Sequence, residues 1–330
     1  KHFDSYLLSE SSLFVYPTRV MLKTCGTATL LHAVSPLLAL ANEFGMNVRR
    51  VMYSRKNFNF PHVQPAPHSC FDDEVQHLDK YFQGKGVTLG PCEEDHWNFY
   101  LADYPENATN ESTAAEQLAA MPIVEVMMHD LNENKMKQFF KQEKTSAEVT
   151  KESGISDILP GSLIDGFCFD PCGYSMNGLL NNSYSTIHIT PESHCSYVSY
   201  ETNCDASLAK KSQQEYYPWV IQNVLRTFRP ARFMVAIYGT DAVSLSAQLV
   251  VSQLKNKYHL NNMSMFDMEG GCQVVACTFT SMAKPVNFKK NPGLLSVLGM
   301  DKLNTFDDKI MDGGIVHDSV MQDLMNAIAL

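Results

Sequence analysis

The stretch Leu8-Ser9-Glu10-Ser11-Ser12-Leu13-Phe14-Val15, followed shortly by Lys23-Thr24-Cys25-Gly26, sets the reading of this chain. Leu13 to Tyr16 and Val20 to Thr24 read as two short strands joined by a turn that contains Pro17. A small hydroxyl pair precedes the first strand, and the second runs out into a thiol and a glycine. Thr27 then caps an apolar helix predicted to reach Phe44, and Val48 to Tyr53 forms another strand. The same order returns downstream. Strands Thr186 to Thr190 and Tyr197 to Tyr200 flank Pro191, a helix from Glu215 to Phe228 is closed by Pro230, and a strand runs from Phe233 to Tyr238. Both halves thus read strand, strand, helix, strand, as one unit written twice, although the residue identities do not repeat. His96 to Leu101 and Cys272 to Thr280 add strands; Asp72 to Phe82 and Asn134 to Gln142 carry helical spacing; residues 104–118 and 203–214 are polar and loop-like. Short turns between consecutive strands imply antiparallel pairing, and helices must cover one face of each sheet, which is an α+β arrangement.

Composition narrows the classes. At 330 residues, 45% hydrophobic and 19% charged, the chain is ordinary globular material with enough length for a large core. No apolar run reaches the roughly 20 residues of a membrane helix; Leu30 to Ala41 comes nearest and is interrupted by His32, Ser35 and Pro36. A net charge of -10 argues against nucleic acid and is compatible with cationic small molecules. The nine cysteines are odd in number, lack a repeating spacing and follow no signal-peptide pattern. Free thiols in a reducing compartment are expected, and with them a cytoplasmic location.

Three further words complete the pattern: Phe169-Asp170-Pro171-Cys172-Gly173-Tyr174-Ser175-Met176-Asn177, then Thr186-Ile187-His188-Ile189-Thr190-Pro191-Glu192, then Tyr197-Val198-Ser199-Tyr200-Glu201-Thr202-Asn203. In this order, behind the opening stretch, they resemble the eukaryotic S-adenosylmethionine decarboxylases, pyruvoyl enzymes of polyamine synthesis. The resemblance runs from Ser5 to Lys284. It implies a four-layer α/β–β/α sandwich of two antiparallel sheets flanked by helices. One domain is expected over residues 1–284, in two similar halves (1–150 and 151–284), with an extension over 285–330. Val320, Leu324 and Ile328 share a helical face in that extension, which ordinary packing explains. The chain begins at Lys1, whereas family members carry several dozen residues ahead of the first motif, so it reads as lacking that segment.

The implied chemistry suits the residue types. Decarboxylating an α-amino acid leaves a carbanion and needs an electron sink. The resemblance implies that a pyruvoyl group, made from Ser11, serves by forming a Schiff base with the substrate amine. Ser11 would attack the Glu10 carbonyl, and self-cleavage between Glu10 and Ser11 would divide one proenzyme into two chains. His188 would be the processing base and Ser175 would support processing; an imidazole suits a base needed near neutral pH. Cys25 falls at the family's proton donor, and Glu10 lines the site after cleavage. Phe169 matches the aromatic that stacks on adenine and Glu192 the carboxylate that binds ribose hydroxyls of S-adenosylmethionine. Lys23, Glu125 and Glu201 match the candidate diamine pocket of animal members. Met121 and Ile123 stand where that pocket has acidic and hydroxyl groups, so weak putrescine binding is expected. Whether the processed protein is a monomer or a dimer stays open.

Each of these residues also has a plain structural reading: Ser11 solvated or capping, His188 hydrogen-bonded on a strand, Cys25 a small buried hydrophobe, Phe169 core. A zinc-binding enzyme is an alternative, because Cys168, Cys172, His188, His194, Cys195 and Cys204 crowd one stretch. No C-x-x-C occurs, however, and Pro191 separates the two histidines, so no metal site is expected. A catalytically silent regulatory paralogue is the other alternative. Such a protein is expected to lose the cleavage pair or the base, whereas this chain keeps Glu10, Ser11, Cys25, Ser175 and His188.

Overall fold

Alternation along one short strand decides how the layers stack. The computed structural model describes residues 3–104, 123–239, 243–268 and 273–283. Strands β1 (Asp4–Leu7), β2 (Ser11–Tyr16) and β3 (Arg19–Thr24) form an antiparallel sheet in that order. Leu13 on β2 packs with Leu37 of helix α1 (Val34–Glu43), whereas Phe14 and Tyr16 turn the other way, toward Tyr184. Helix α1 opens through a 3-10 turn at Leu30–Ala33 rather than at the predicted Thr27 cap. Pro36 lies in its first turn, where a missing N–H leaves no helical bond unmade.

A second antiparallel sheet comprises β4 (Arg50–Lys56), β5 (Lys85–Leu89) and β6 (Trp97–Asp103), in the order β4-β6-β5. Tyr100 and Ala102 on β6 pack with Leu31 and with Leu78 of α2 (Phe71–Leu78). Trp97 and Phe99, one residue out of phase, face inward against Met127, Met234 and Tyr238.

The remaining strands are β7 (Ile123–Leu131), β8 (Leu163–Cys168), β9 (Tyr174–Leu180), β10 (Ser183–Thr190), β11 (Tyr197–Thr202), β12 (Pro230–Gly239), β13 (Tyr258–Asp267) and β14 (Gln273–Ser281). They form one eight-stranded antiparallel sheet in the order β13-β14-β12-β7-β11-β10-β9-β8. Its outer face is covered by α3 (Ser146–Ser153), α4 (Gln213–Phe228) and α5 (Val243–Leu254). Val149, Val220, Val224, Phe228 and Val250 pack there on Val126, Ile187, Val198 and Val235. Capping boxes at Thr145/Glu148 and Ser212/Glu215 start α3 and α4; losing a cap costs about 1 kcal/mol.

The layers therefore run helix, sheet, sheet, helix, as expected, but one sheet layer is two three-stranded pieces. The predicted helix from Asn134 to Gln142 is a single turn, Glu133–Met136, continued as 3-10 over Lys137–Phe139. Among the described residues no helix is long and apolar enough to cross a membrane. The predicted loop beyond residue 104 and the Val320, Leu324 and Ile328 face lie outside the described residues.

Candidate functional site

On its inner face, the eight-stranded sheet is not apolar throughout. Strand alternation brings Ser175 and Asn177 of β9, Thr186 and His188 of β10, Ser199 and Glu201 of β11, and Glu125 of β7 into the space between the sheets. All seven are buried. Buried polar groups are costly unless hydrogen-bonded, so a layer of them marks a site rather than a core.

The opening stretch folds onto this layer as a hairpin. The Leu8 N–H donates to the Ser11 carbonyl at 2.8 Å, leaving Ser9 and Glu10 at the tip. Each tip carbonyl is held: the Cys25 N–H donates to Glu10 O at 2.9 Å, and the Ser175 hydroxyl donates to Ser9 O at 2.9 Å. The Glu10 carboxyl lies over Gly26, whose φ is +66; a Cβ there would stand 2.8 Å from the carboxyl carbon. Burial raises the Glu10 carboxyl above its ordinary range.

His188 lies against both sides of the Glu10–Ser11 pair. Its Nδ1 is 2.9 Å from Ser175 Oγ and 3.2 Å from Ser9 O, and its Nε2 is 2.9 Å from Ser12 Oγ. The Ser175 hydrogen is spent on Ser9 O, so Ser175 accepts from Nδ1–H and the lone pair sits on Nε2, facing Ser12. Ser12 in turn is 2.8 Å from Thr186 Oγ1. Burial, reinforced by the positive charge of Lys23, pushes the imidazole down to about 4, so it is neutral at physiological pH. The imidazole's hydrogen bond goes to the Ser12 hydroxyl and not to that of Ser11, because neighbouring side chains on a strand point to opposite faces. The role expected of His188 concerns the Ser11 Cα proton. The part played by Ser12, Thr186 and Asn177 went unread, though all three stand inside the quoted words.

Cys25 follows β3 and is half-buried. Burial first, then the nearby Glu10 charge, pushes its thiol up to about 12 against the opposing pull of Lys23, so it keeps its proton. Lys23 reaches the other way, with Nζ 2.7 Å from Glu125 Oε2 and 2.5 Å from Glu201 Oε2. Those carboxylates face each other directly across β7 and β11, a repulsive pairing without a cation. Tyr184 donates to Glu201 at 2.6 Å, Tyr238 to Glu125 at 3.1 Å and Ser54 to Glu125 at 3.3 Å. Burial opposes the Lys23 charge, but the two carboxylates outweigh it and hold the ammonium above the usual lysine range. Burial pushes Glu125 up to about 7. At Glu201 burial is the largest single influence, but the Lys23 charge together with the hydrogen bonds from Lys23 and Tyr184 outweighs it and lowers the carboxyl.

Phe169 directly follows β8 and Glu192 lies just past β10, the strands on either side of the start of β9. The Phe169 N–H donates to Gly173 O at 3.0 Å, and a Cβ on Gly173 would lie 3.8 Å from the Phe169 Cβ and 3.4 Å from Ile189 O. Glu192 lies near enough to raise the Cys172 and Cys195 thiols, after burial. The six residues of the zinc alternative do not converge. His188 is spent on serines, His194 is exposed, and Cys204 is in the core on the opposite face of the sheet. Among the described residues no three His, Cys, Asp or Glu side chains group to hold a metal ion.

Comparison with known proteins places the chain in a family. A family model described as adenosylmethionine decarboxylase matches residues 1–280. An S-adenosylmethionine decarboxylase proenzyme of Dictyostelium discoideum is 47% identical over 298 residues, covering 90% of this chain and 75% of that protein. Its namesake in Xenopus laevis is 40% identical over 242 residues, covering 71% and 67%. The crystal structure of the Trypanosoma brucei AdoMetDC-delta26 monomer superposes with a TM-score of 0.61 at 26% identity, covering 82% of this chain and 99% of that one.

Proposed function

The chain belongs to the adenosylmethionine decarboxylase family, and from that premise we propose that it decarboxylates S-adenosylmethionine with a pyruvoyl group made from its own Ser11. The product is the aminopropyl donor for spermidine and spermine. The observation that carries this reading is the hairpin tip, where Cys25 N–H holds the Glu10 carbonyl and Ser175 and His188 converge on the carbonyl of Ser9, the residue before it.

In the first step the Ser11 hydroxyl oxygen bonds to the Glu10 carbonyl carbon and the Glu10–Ser11 C–N bond breaks. The Ser11 nitrogen takes up a proton, leaving an ester. Charge develops on Glu10 O, where the Cys25 N–H already donates; a preorganised donor of this kind is worth roughly 3–4 kcal/mol of barrier. In the second step neutral His188 removes the Ser11 Cα proton, the Cβ–Oγ bond breaks and Glu10 leaves as a carboxylate. The dehydroalanine left behind tautomerises and adds water, expelling ammonia, and the new chain is blocked by pyruvoyl.

The residues present fit that group: Ser11 is buried at a strand start in register with Thr24 of β3, and the next residue, Cys25, carries a thiol that keeps its proton. Pyruvoyl supplies the electron sink for loss of carbon dioxide. Cys25 holds the proton to be delivered to the substrate Cα, Glu10 stays over Gly26 at the edge of the site, and Phe169 and Glu192 take the adenine and ribose. Lys23 fills the carboxylate pair that a diamine would otherwise neutralise. The eight described cysteines are all free thiols, in keeping with a cytoplasmic enzyme.

Ser11→Ala tests the reading. It removes the attacking hydroxyl, so the chain should stay intact, while the parent divides into one product ending at Glu10 and another beginning with pyruvoyl. An undivided parent, or a free serine amine at the new terminus in the intact mass, would overturn it.

A further inference from the structure

Asn177 stands two residues along β9 from Ser175, on the same face, and the mechanism above does not use it. It is buried, and Nδ2 donates to Ser5 Oγ at 2.9 Å and to Tyr6 O at 3.0 Å, both on β1. Strand β9 thus holds the first arm of the hairpin at two levels: Asn177 at Tyr6 O and Ser175 at Ser9 O. β1 is the edge of its three-stranded sheet and has β2 as its sole strand neighbour there. Asn177 therefore ties β1 to the eight-stranded sheet and Ser175 ties the turn just beyond it, while Phe3, stacked on Tyr16 of β2 at 4.2 Å, packs in one cluster with Tyr184 and Leu179.

We propose that Asn177 is a positioning residue for self-cleavage, setting the height of β1 so that the Glu10 carbonyl meets the Cys25 N–H and the Ser9 carbonyl meets Ser175. The proposal rests on the reading that Glu10–Ser11 is the bond cleaved. Only a carboxamide suits the place, because Nδ2 offers two hydrogens and both are used. An aspartate would aim a carboxylate oxygen at the Tyr6 carbonyl and push β1 away. A shift of about 1 Å at a reacting centre can cost 10²-fold in rate. The tip lies only three residues beyond Tyr6.

The test uses the full chain. Asn177→Asp should slow cleavage roughly 10–100-fold, and Ser5→Ala, which removes one of the two bonds, should slow it less. In a Ser11→Ala background the Asn177→Asp chain should melt close to Ser11→Ala alone, which separates positioning from folding. The step is read with hydroxylamine, which cleaves an ester but not an amide. His188→Ala stalls the chain after the first step, so hydroxylamine should divide it, and adding Asn177→Asp should lower the divided fraction. Cleavage at the parental rate in folded Asn177→Asp, or slowed cleavage with an undiminished ester fraction, would overturn the proposal. Should Asn177→Asp fail to fold, parental cleavage in Ser5→Ala would do the same. Cleavage persisting in Ser11→Ala would instead sink the underlying reading.

Discussion

Lys23→Met is the substitution whose outcome can be worked furthest from the coordinates. Methionine keeps the length of the side chain and removes the ammonium, leaving Glu125 and Glu201 face to face across two paired strands. The three side chains are 12%, 7% and 6% exposed, so water cannot replace the lost cation. Breaking a buried ion pair by deleting one partner costs about 3–5 kcal/mol. For a chain of 330 residues that is roughly 4–7 °C in melting temperature.

The pH dependence has a definite sign. Glu125 already stands at about 7 with Lys23 present, pushed up by burial, and loss of the cation moves it further up. A carboxyl raised above its unfolded value contributes stability that is complete below that value and is lost as pH rises through the folded one. The variant's deficit should thus be smaller near pH 5 than at pH 8, the part that persists at pH 5 being the lost Lys23–Glu201 pair. Denaturant unfolding in a Ser11→Ala background measures it without interference from cleavage. Trp97 serves as a probe, since its Nε1 donates to Tyr238 at 2.6 Å and Tyr238 donates to Glu125. Equal stability of variant and parent at pH 8, or a deficit larger at pH 5 than at pH 8, would refute the reasoning.

Cys25→Ala should lose roughly 10²–10⁴-fold in turnover, as the loss of a general acid does, yet still cleave itself, because the backbone N–H that holds Glu10 O survives; full turnover in the cleaved variant would remove the thiol from the mechanism. Self-cleavage should persist well below pH 6.5 and fall away as pH drops through about 4, where His188 takes up its proton and ceases to be a base; rates of precursor shifted across buffers from pH 3.5 to 7 decide this, and an acid limb centred at 6.5 would contradict it. Putrescine should stimulate cleavage and turnover little, since Lys23 already bonds both carboxylates; strong saturable activation at submillimolar diamine would show that reading to be wrong.

How much of this could be read in advance differs element by element. β2, β3, β10 and β11 were legible because each is a short run rich in apolar and β-branched or aromatic residues, and the two pairs are bounded by the turns at Pro17 and Pro191. β7, the strand that carries Glu125, was not. Its run Ile-Val-Glu-Val-Met-Met-His-Asp-Leu is buried on both faces, so apolar residues fill adjacent positions and the period of two disappears. The helix around Glu133–Met136 was overextended because Asn132 supplies a genuine cap, accepting from Lys135 N, and then the chain leaves the helix within a turn. Thr27 misled in the opposite sense: its residue type suits a cap, but the helix opens three residues later without one.

The candidate site was legible as residue types and not as contacts, and the reason is physical. Three of the interactions that hold the hairpin tip end on backbone carbonyls, Tyr6 O, Ser9 O and Glu10 O, and every residue has a carbonyl. Nothing in the letters says which carbonyl a given serine or asparagine will reach; that depends on the register of β9 against β10 and on the height of β1. The same argument explains why the contact of Ser12 with His188 went unread. Ser11 and Ser12 are identical in composition and adjacent in sequence, and only the pleat of β2 separates them, sending the Ser12 hydroxyl to His188. A site that works on its own main chain needs side chains whose task is to hold peptide groups still, and Ser175 at Ser9 O and Asn177 at Tyr6 O do so on the arm that leads into the bond expected to break.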